Sequence, residues 1–153
     1  MDTLDGPILL VGCGKMGAAL LAGWLSRGID SADVLVVEPT DANGAVGRQH
    51  GVRIVPDIAA LAPDISPRVV VLAVKPQVMP VVVPPYRRFA GSTTTFLSIA
   101  AGKPLAFFAE HLSVKASLVR AMPNTPAAIG RGITVLCAKK QPELLVAYGP
   151  PQG

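Results

Sequence analysis

Residues 8–17, ILLVGCGKMG, decide the fold. Four apolar residues predict a buried strand, and a Gly-x-Gly-x-x-Gly pattern follows at once and opens a helix. In such a turn Gly12 permits the tight bend, Gly14 lets a pyrophosphate approach the backbone, and Gly17 lets helix and strand pack closely. The helix start adds free amides and the positive end of its dipole. The placement predicts dinucleotide binding, and the alternative is a structural glycine turn without a ligand.

Outward from this motif, short runs of valine, leucine and isoleucine recur, as is typical of strands buried on both faces of a parallel sheet. Parallel strands need crossover connections, which the helical spacing after the glycine motif supplies. We therefore expect an α/β fold: a Rossmann-type, doubly wound, mostly parallel sheet with helices on both faces, in a single domain. The predicted strands are residues 7–11, 34–37, 52–55, 69–74, 94–98, 118–122 and 133–137.

Helices are predicted at residues 15–27, 41–50 and 104–112. Glycines at 44 and 47 are expected to interrupt the second of these helices. The segment 80–88 contains three prolines, which remove backbone donors, so at most one or two helical turns are expected there.

Composition limits the possible functions. The chain has 153 residues, of which 50% are hydrophobic and 16% charged, which fits one domain with a real core. The net charge is +4, but the basic residues are scattered and not interleaved with aromatics, so no nucleic-acid partner is expected. The apolar runs are too short to cross a membrane, so no membrane partner is expected. The two cysteines show no disulfide framework, which predicts reduced thiols and a cytoplasmic protein. Cys13 and Cys137 lack metal-ligand or disulfide spacing, so no metal site is expected.

An acidic residue follows the second predicted strand. Glu38 stands where Rossmann proteins place an acid that accepts hydrogen bonds from the adenosine ribose hydroxyls, which favours NAD. A carboxylate there repels the 2′-phosphate of NADP unless it turns away, whereas Thr40, Arg48 and Arg53 could donate to that phosphate. The alternative is that Glu38 is a solvated loop acid. These residues alone leave the choice between NAD and NADP open.

Three further loops follow predicted strands at their carboxyl ends: AVKP at 73–76, SIAAG at 98–102 and RAMPNTP at 120–126. Open α/β sheets bind ligands at that edge. The small residues of the second loop would let a flat ring approach the backbone, and Asn124 and Thr125 are stiff polar groups suited to orienting a carboxamide or a substrate. Lys75 is either a cofactor contact or a solvated lysine.

Four segments, GCGKMG, AVKPQVM, SIAAG and RAMPNTPA, in this order and spacing resemble the N-terminal domain of pyrroline-5-carboxylate reductase, the last enzyme of proline synthesis. RAMPNTPA is the most specific of them, because other Rossmann proteins share the glycine motif. The resemblance implies hydride transfer from NAD(P)H to 1-pyrroline-5-carboxylate, giving L-proline, with NADP(H) favoured and NAD(H) possible. By position it assigns cofactor contacts to Val11, Gly12, Cys13, Gly14, Lys15, Met16, Thr40, Ala73, Val74, Lys75, Pro76, Ile99, Ala100 and Ala101, and it places Met122, Pro123, Asn124 and Thr125 near the nicotinamide or substrate.

The resemblance spans roughly residues 8–137. It implies that the substrate pocket and the dimer interface belong to a C-terminal helical domain of which nothing is found here. We therefore expect an NAD(P)-binding Rossmann domain at 1–137, a divergent or disordered tail at 138–153, and no catalytic residue within the chain. The chain is expected to be an oxidoreductase acting on a CH–NH bond, truncated to its cofactor domain and inactive alone, with its oligomeric state open.

Two other functions fit the same residues. One is a dinucleotide-binding sensor or interaction module that acts without turnover. The other is a different NADP-dependent Rossmann oxidoreductase, such as a hydroxyacid or coenzyme F420-dependent enzyme, which shares the glycine motif but leaves RAMPNTPA unexplained.

Overall fold

The computed structural model describes residues 6–90, 94–99, 105–113 and 116–120. Within them, one sheet has the strand order β3-β2-β1-β4-β5-β6, and every neighbouring pair is parallel. This order is that of a doubly wound dinucleotide-binding fold, so the predicted fold class is confirmed. The strands are β1 Ile8–Val11, β2 Val34–Val37, β3 Arg53–Val55, β4 Val69–Leu72, β5 Thr95–Ser98 and β6 Ser117–Arg120.

These strands match the predicted ones to within two residues at each end. The predicted strand at 133–137 lies outside the described residues. The helices are α1 Lys15–Ser26, α2 Asp41–Gln49, α3 Met79–Val82 and α4 Leu105–His111. Turns of 3-10 helix occur at Ser31–Asp33, Ile58–Ala60, Pro76–Val78 and Pro84–Phe89.

The glycines of the second helix do not interrupt it, so that prediction is wrong. α2 is continuous, and Gly47 is buried against β3. A Cβ at Gly47 would lie 2.5 Å from Cδ1 of Ile54 and 3.5 Å from Cδ2 of Leu21. Glycine at this position therefore brings the helix close to the sheet, and close packing outweighs the low helix propensity of glycine.

The proline-rich segment contains more helical turns than the one or two predicted, although no long helix forms. Between β4 and residue 90 the chain forms only short helical pieces, because each proline lacks the N–H that a longer helix needs. They are the 3-10 turn Pro76–Val78, the four-residue α3 and the 3-10 segment Pro84–Phe89. The segment nevertheless covers the sheet, since Met79, Val83 and Tyr86 are buried on it.

Alternate residues of the central strands contact opposite layers of the protein. Ile8 and Leu10 pack with α1, whereas Leu9 and Val11 pack with the layer that contains α3 and α4. All residues of β1 and β4 are at most 2% exposed, which explains their unbroken apolar runs. In the described part of the chain, none of the helices is long and apolar enough to cross a bilayer.

Candidate functional site

The glycine turn lies where the strand order of the sheet reverses. β1 pairs with β2 on one side and with β4 on the other. The chain leaves β1 into α1 on one face and leaves β4 into α3 on the opposite face. In sheets of this kind, ligands bind in the crevice outside the carboxyl ends of the strands at this reversal.

The structure brings the predicted loops to this one edge, because the described strands are all parallel. Residues 12–14 follow β1, residues 38–40 follow β2, residues 73–76 follow β4, and Ile99 follows β5. The other predicted site residues, Ala100, Ala101 and the loop of Met122, Pro123, Asn124 and Thr125, lie outside the described residues.

Two glycines of the motif are required by the protein itself. Gly12 has a φ of +96°, and its N–H donates to the Val37 carbonyl oxygen at 2.9 Å. A Cβ at Gly12 would lie 2.9 Å from the carbonyl oxygen of Ala73. A Cβ at Gly17 would collide with the Gly12 carbonyl oxygen. Both glycines therefore serve the packing of β1, α1 and β4, whether or not a ligand binds.

Gly14 differs from these two glycines. Its φ of −70° and ψ of −158° lie in the extended region that any residue adopts. Among the described residues, no atom outside its immediate neighbours lies within 4 Å of a Cβ built on Gly14. Packing in the described protein does not require glycine at this position, and several other residues also serve as N-caps, whereas the close approach of a pyrophosphate to the backbone does require it.

The start of α1 faces the same space. Gly14 is the N-cap and makes no side-chain capping bond, and the Ala18 N–H donates to its carbonyl oxygen at 2.8 Å. This is the first hydrogen bond of the helix. The N–H groups of Lys15, Met16 and Gly17 come before it, so they have no carbonyl oxygen of the helix to donate to. The first turn holds no acid, and Lys15 is exposed. This end of the helix can bind an anion through its amides and its dipole.

Glu38 is turned into the protein. It is 9% exposed, and Oε1 accepts a hydrogen bond from the Cys13 N–H at 2.6 Å, while Oε2 accepts one from the Thr40 N–H at 3.0 Å. Hydrogen bonds to an ionised acceptor are about twice as strong as neutral ones. The alternative of a solvated loop acid is therefore wrong, because this carboxylate connects two neighbouring loops of the site.

The side chain of Cys13 belongs to the core. It is 1% exposed and packs among the apolar residues under α1. Burial raises the pKa of the Cys13 thiol above its ordinary value, and the nearby charge of Glu38 raises it further. Any contact between Cys13 and a ligand must therefore come from its backbone.

A chemical test of this placement uses the Cys137→Ser variant, which leaves Cys13 as the only thiol. The native protein is expected to react with iodoacetamide at pH 8 much more slowly than the urea-unfolded chain, because a buried thiol with a raised pKa forms little thiolate. Mass spectrometry of timed samples measures both rates. Equal rates in the folded and unfolded states would contradict the buried placement.

Two of the three side chains predicted as donors for a 2′-phosphate come together at the start of α2. Thr40 is the exposed N-cap, and its side chain makes no capping bond. The Arg48 guanidinium donates to the Asp41 carbonyl oxygen at 2.6 Å and lies 3.8 Å from its carboxylate. Arg53 is not brought to this place. It begins β3 at the end away from the crevice, and its neighbour Ile54 faces α2, so Arg53 faces the opposite layer.

The loop after β4 closes the other side of the crevice. The Ala73 N–H donates to the Val11 carbonyl oxygen at 2.8 Å, which ties this loop to β1. Val74 lies over the glycine turn, with Cγ1 2.9 Å from a Cβ built on Gly12. Lys75 is exposed, so it can reach a ligand or solvent alike. Within the described ranges, no group of three or more His, Cys, Asp or Glu residues could hold a metal ion.

The packing role of Gly17 can be separated from helix propensity with Gly23, which lies in the same helix. A Cβ at Gly23 would meet no atom of the described residues within 4 Å. Gly23→Ala is expected to stabilise the protein by about 0.5–1 kcal/mol, whereas Gly17→Ala is expected to destabilise it by about 1–3 kcal/mol. Urea unfolding followed by the fluorescence of Trp24, the single tryptophan, measures both changes. A stabilising Gly17→Ala would contradict the described contact with Gly12.

The chain was compared with known proteins. The family described as "NADP oxidoreductase coenzyme F420-dependent" matches residues 7–102. A pyrroline-5-carboxylate reductase of Vibrio alginolyticus is 33% identical over 132 residues, which is 86% of this chain and 48% of that protein. The chain spans about half the length of the curated relatives it matches.

Two solved structures have the same fold. A pyrroline-5-carboxylate reductase from Coxiella burnetii has a TM-score of 0.75 at 22% identity, over 99% of this chain and 60% of that one. A pyrroline carboxylate reductase from Plasmodium falciparum, solved with NADP bound, has a TM-score of 0.70 at 19% identity, over 97% and 57% of the two chains.

Proposed function

Because the chain belongs to the family described as NADP oxidoreductase, coenzyme F420-dependent, we propose that it is the cofactor-binding half of a pyrroline-5-carboxylate reductase. The observation that carries the proposal is the open space over Gly14 beside the free amides of α1. The names of the relatives give the substrate class, an imine that is reduced to an amine.

The residues present fit a nicotinamide dinucleotide. The backbone of residues 14–17 would hold the pyrophosphate, since it combines a glycine with free space and amides at a helix start. When bound, the cofactor supplies the hydride for reduction of 1-pyrroline-5-carboxylate to L-proline. The loop 73–76, Ile99, Ala100 and Ala101 would hold the rest of the cofactor, and the loop of Met122 to Thr125 would lie near the nicotinamide.

The proposal extends to the organisation and setting of the protein. Residues 1–137 form the cofactor domain, residues 138–153 are a divergent tail, and the substrate pocket and dimer interface lie in a further domain. The protein acts in the cytoplasm without nucleic-acid or membrane partners. The scattered basic residues and short apolar runs of the sequence support this setting.

Saturable binding tests the proposal. Trp24 is buried in the core of the domain. NADPH titrated into the unmodified chain is expected to quench the fluorescence of Trp24, because the excited indole transfers energy to the bound nicotinamide. Circular dichroism confirms that the titrated sample is folded. A folded chain that binds neither NADPH nor NADH would refute the proposed function.

A modest preference for NADP(H) over NAD(H) is expected from the same titrations. The carboxylate of Glu38 is engaged by backbone amides, and Thr40 and Arg48 offer donors near the start of α2. The net charge of +4 adds a favourable long-range term for the more anionic cofactor. The preference should shrink as salt is raised, because exposed charges are screened. Equal or tighter binding of NADH would contradict it.

A further inference from the structure

The carboxylate of Glu38 occupies a position between two loops that follow neighbouring strands. One oxygen accepts from the Cys13 N–H in the glycine turn after β1, and the other accepts from the Thr40 N–H in the loop after β2. Each oxygen therefore has a backbone partner. The bond from Cys13 joins residues that are 25 apart in the chain, whereas the bond from Thr40 stays within the loop after β2.

Turning the carboxylate outward would break both bonds. Cys13 is 1% exposed, so water has little access to replace the oxygen at its N–H. A buried donor left without an acceptor is unfavourable by its whole desolvation cost. A carboxylate turned outward toward ribose hydroxyls would have to compensate for the lost bond to Cys13, and without that turn only the remaining lone pairs of the two oxygens are open to a ligand.

We propose that Glu38 is a positioning residue that fixes the glycine turn against the loop after β2, and not a ligand of the adenosine ribose. The turn then presents the space over Gly14 and the amides of α1 in one geometry before a cofactor arrives. The consequences for cofactor binding rest on the proposed function. The hydrogen bonds themselves can be tested without a cofactor.

The first test is amide hydrogen exchange, measured by NMR on the full chain and on E38A, E38Q and E110Q. Glu110 is an exposed acid on α4, so E110Q is a matched control for the loss of one carboxylate. The Cys13 amide is expected to exchange about ten-fold or more slowly in the unmodified chain than in E38A, on the order of 1.4 kcal/mol. E38Q retains one acceptor oxygen and should keep most of this protection, and E110Q should keep all of it. A Cys13 amide that exchanges equally fast in the unmodified chain and E38A overturns the proposal.

The second test compares the two cofactors. A positioning residue predicts that E38A weakens NADPH and NADH binding together, by about ten-fold each. It also predicts that E38Q changes each Kd less than about three-fold. A ribose ligand predicts the reverse, with NADH binding lost in both variants and NADPH binding unchanged or improved, and that result overturns the proposal. If E38A does not fold, the E38Q titrations decide between the two roles.

The two proposals fail in different ways. A folded, unmodified chain that binds neither cofactor refutes the proposed function, and the protection of the Cys13 amide still tests the role of Glu38. A Cys13 amide that exchanges equally fast in the unmodified chain and in E38A, with cofactor binding intact, refutes the role of Glu38 alone.

Discussion

A Gly14→Val variant is expected to keep its fold and to bind NADPH at least ten-fold more weakly, a loss on the order of 1.4 kcal/mol or more. The extended backbone at Gly14 accepts a β-branched residue, and the described protein leaves open space around its Cβ. Because that space is where the pyrophosphate is proposed to lie, the valine side chain would exclude the ligand and not disturb the core. The Kd comes from the Trp24 titration.

The control for this variant is Gly23→Ala, which also adds carbon into open space but lies nine residues farther along the chain, within α1. It should leave the Kd for NADPH unchanged. Urea unfolding of both variants separates any loss of stability from loss of binding, since valine is a poorer N-cap than glycine. A folded Gly14→Val variant that binds NADPH with the parental Kd would show that the glycine turn is not part of the cofactor site.

The glycine turn could be predicted from sequence because its requirements are local. A buried strand, three glycines at fixed spacing and a helix start occupy consecutive residues, and the structure places them as the pattern predicts. The resemblance stated from GCGKMG, AVKPQVM, SIAAG and RAMPNTPA is confirmed, since the relatives compared above are pyrroline-5-carboxylate reductases. The doubly wound parallel sheet could also be predicted, because parallel neighbours joined by helices allow few topologies.

The orientation of Glu38 could not be predicted from sequence. Its position after β2 suggested a ribose ligand, but the direction of its side chain depends on the Cys13 amide, which is 25 residues distant. The same limit applies to Arg53, whose face is fixed by the packing of Ile54 against α2. Patterns along the chain predict elements and edges, whereas side-chain direction depends on contacts between elements.

The continuous α2 shows a related limit. Gly44 and Gly47 lower the helix propensity of the segment, and both are buried in the structure. Burial against the sheet can stabilise a helix of low intrinsic propensity, because most helical stability in proteins comes from tertiary packing. The signal that could have found it is the spacing of these two glycines, which places them on one face of a helix.

A protein made of these 153 residues is expected to show negligible proline-forming activity even when it binds NADPH. The chain spans about half the length of its relatives, and the resemblance assigns the pocket for the imine to the other half. Holding two reactants in an aligned geometry can contribute about 7–11 kcal/mol to lowering a barrier. A site that holds only the cofactor forfeits most of this contribution and leaves the nicotinamide open to water.

The measurement is steady-state NADPH oxidation with 1-pyrroline-5-carboxylate at high protein concentration. Turnover by the chain alone at about 1 per second or faster, an ordinary enzymatic rate, would contradict the expectation. The separately expressed C-terminal half of a full-length relative, such as the Vibrio alginolyticus enzyme, is then added. Activity that appears only in the mixture, and is lost when the Gly14→Val chain replaces the parent, would locate hydride-donor binding in this chain and substrate positioning in the added half.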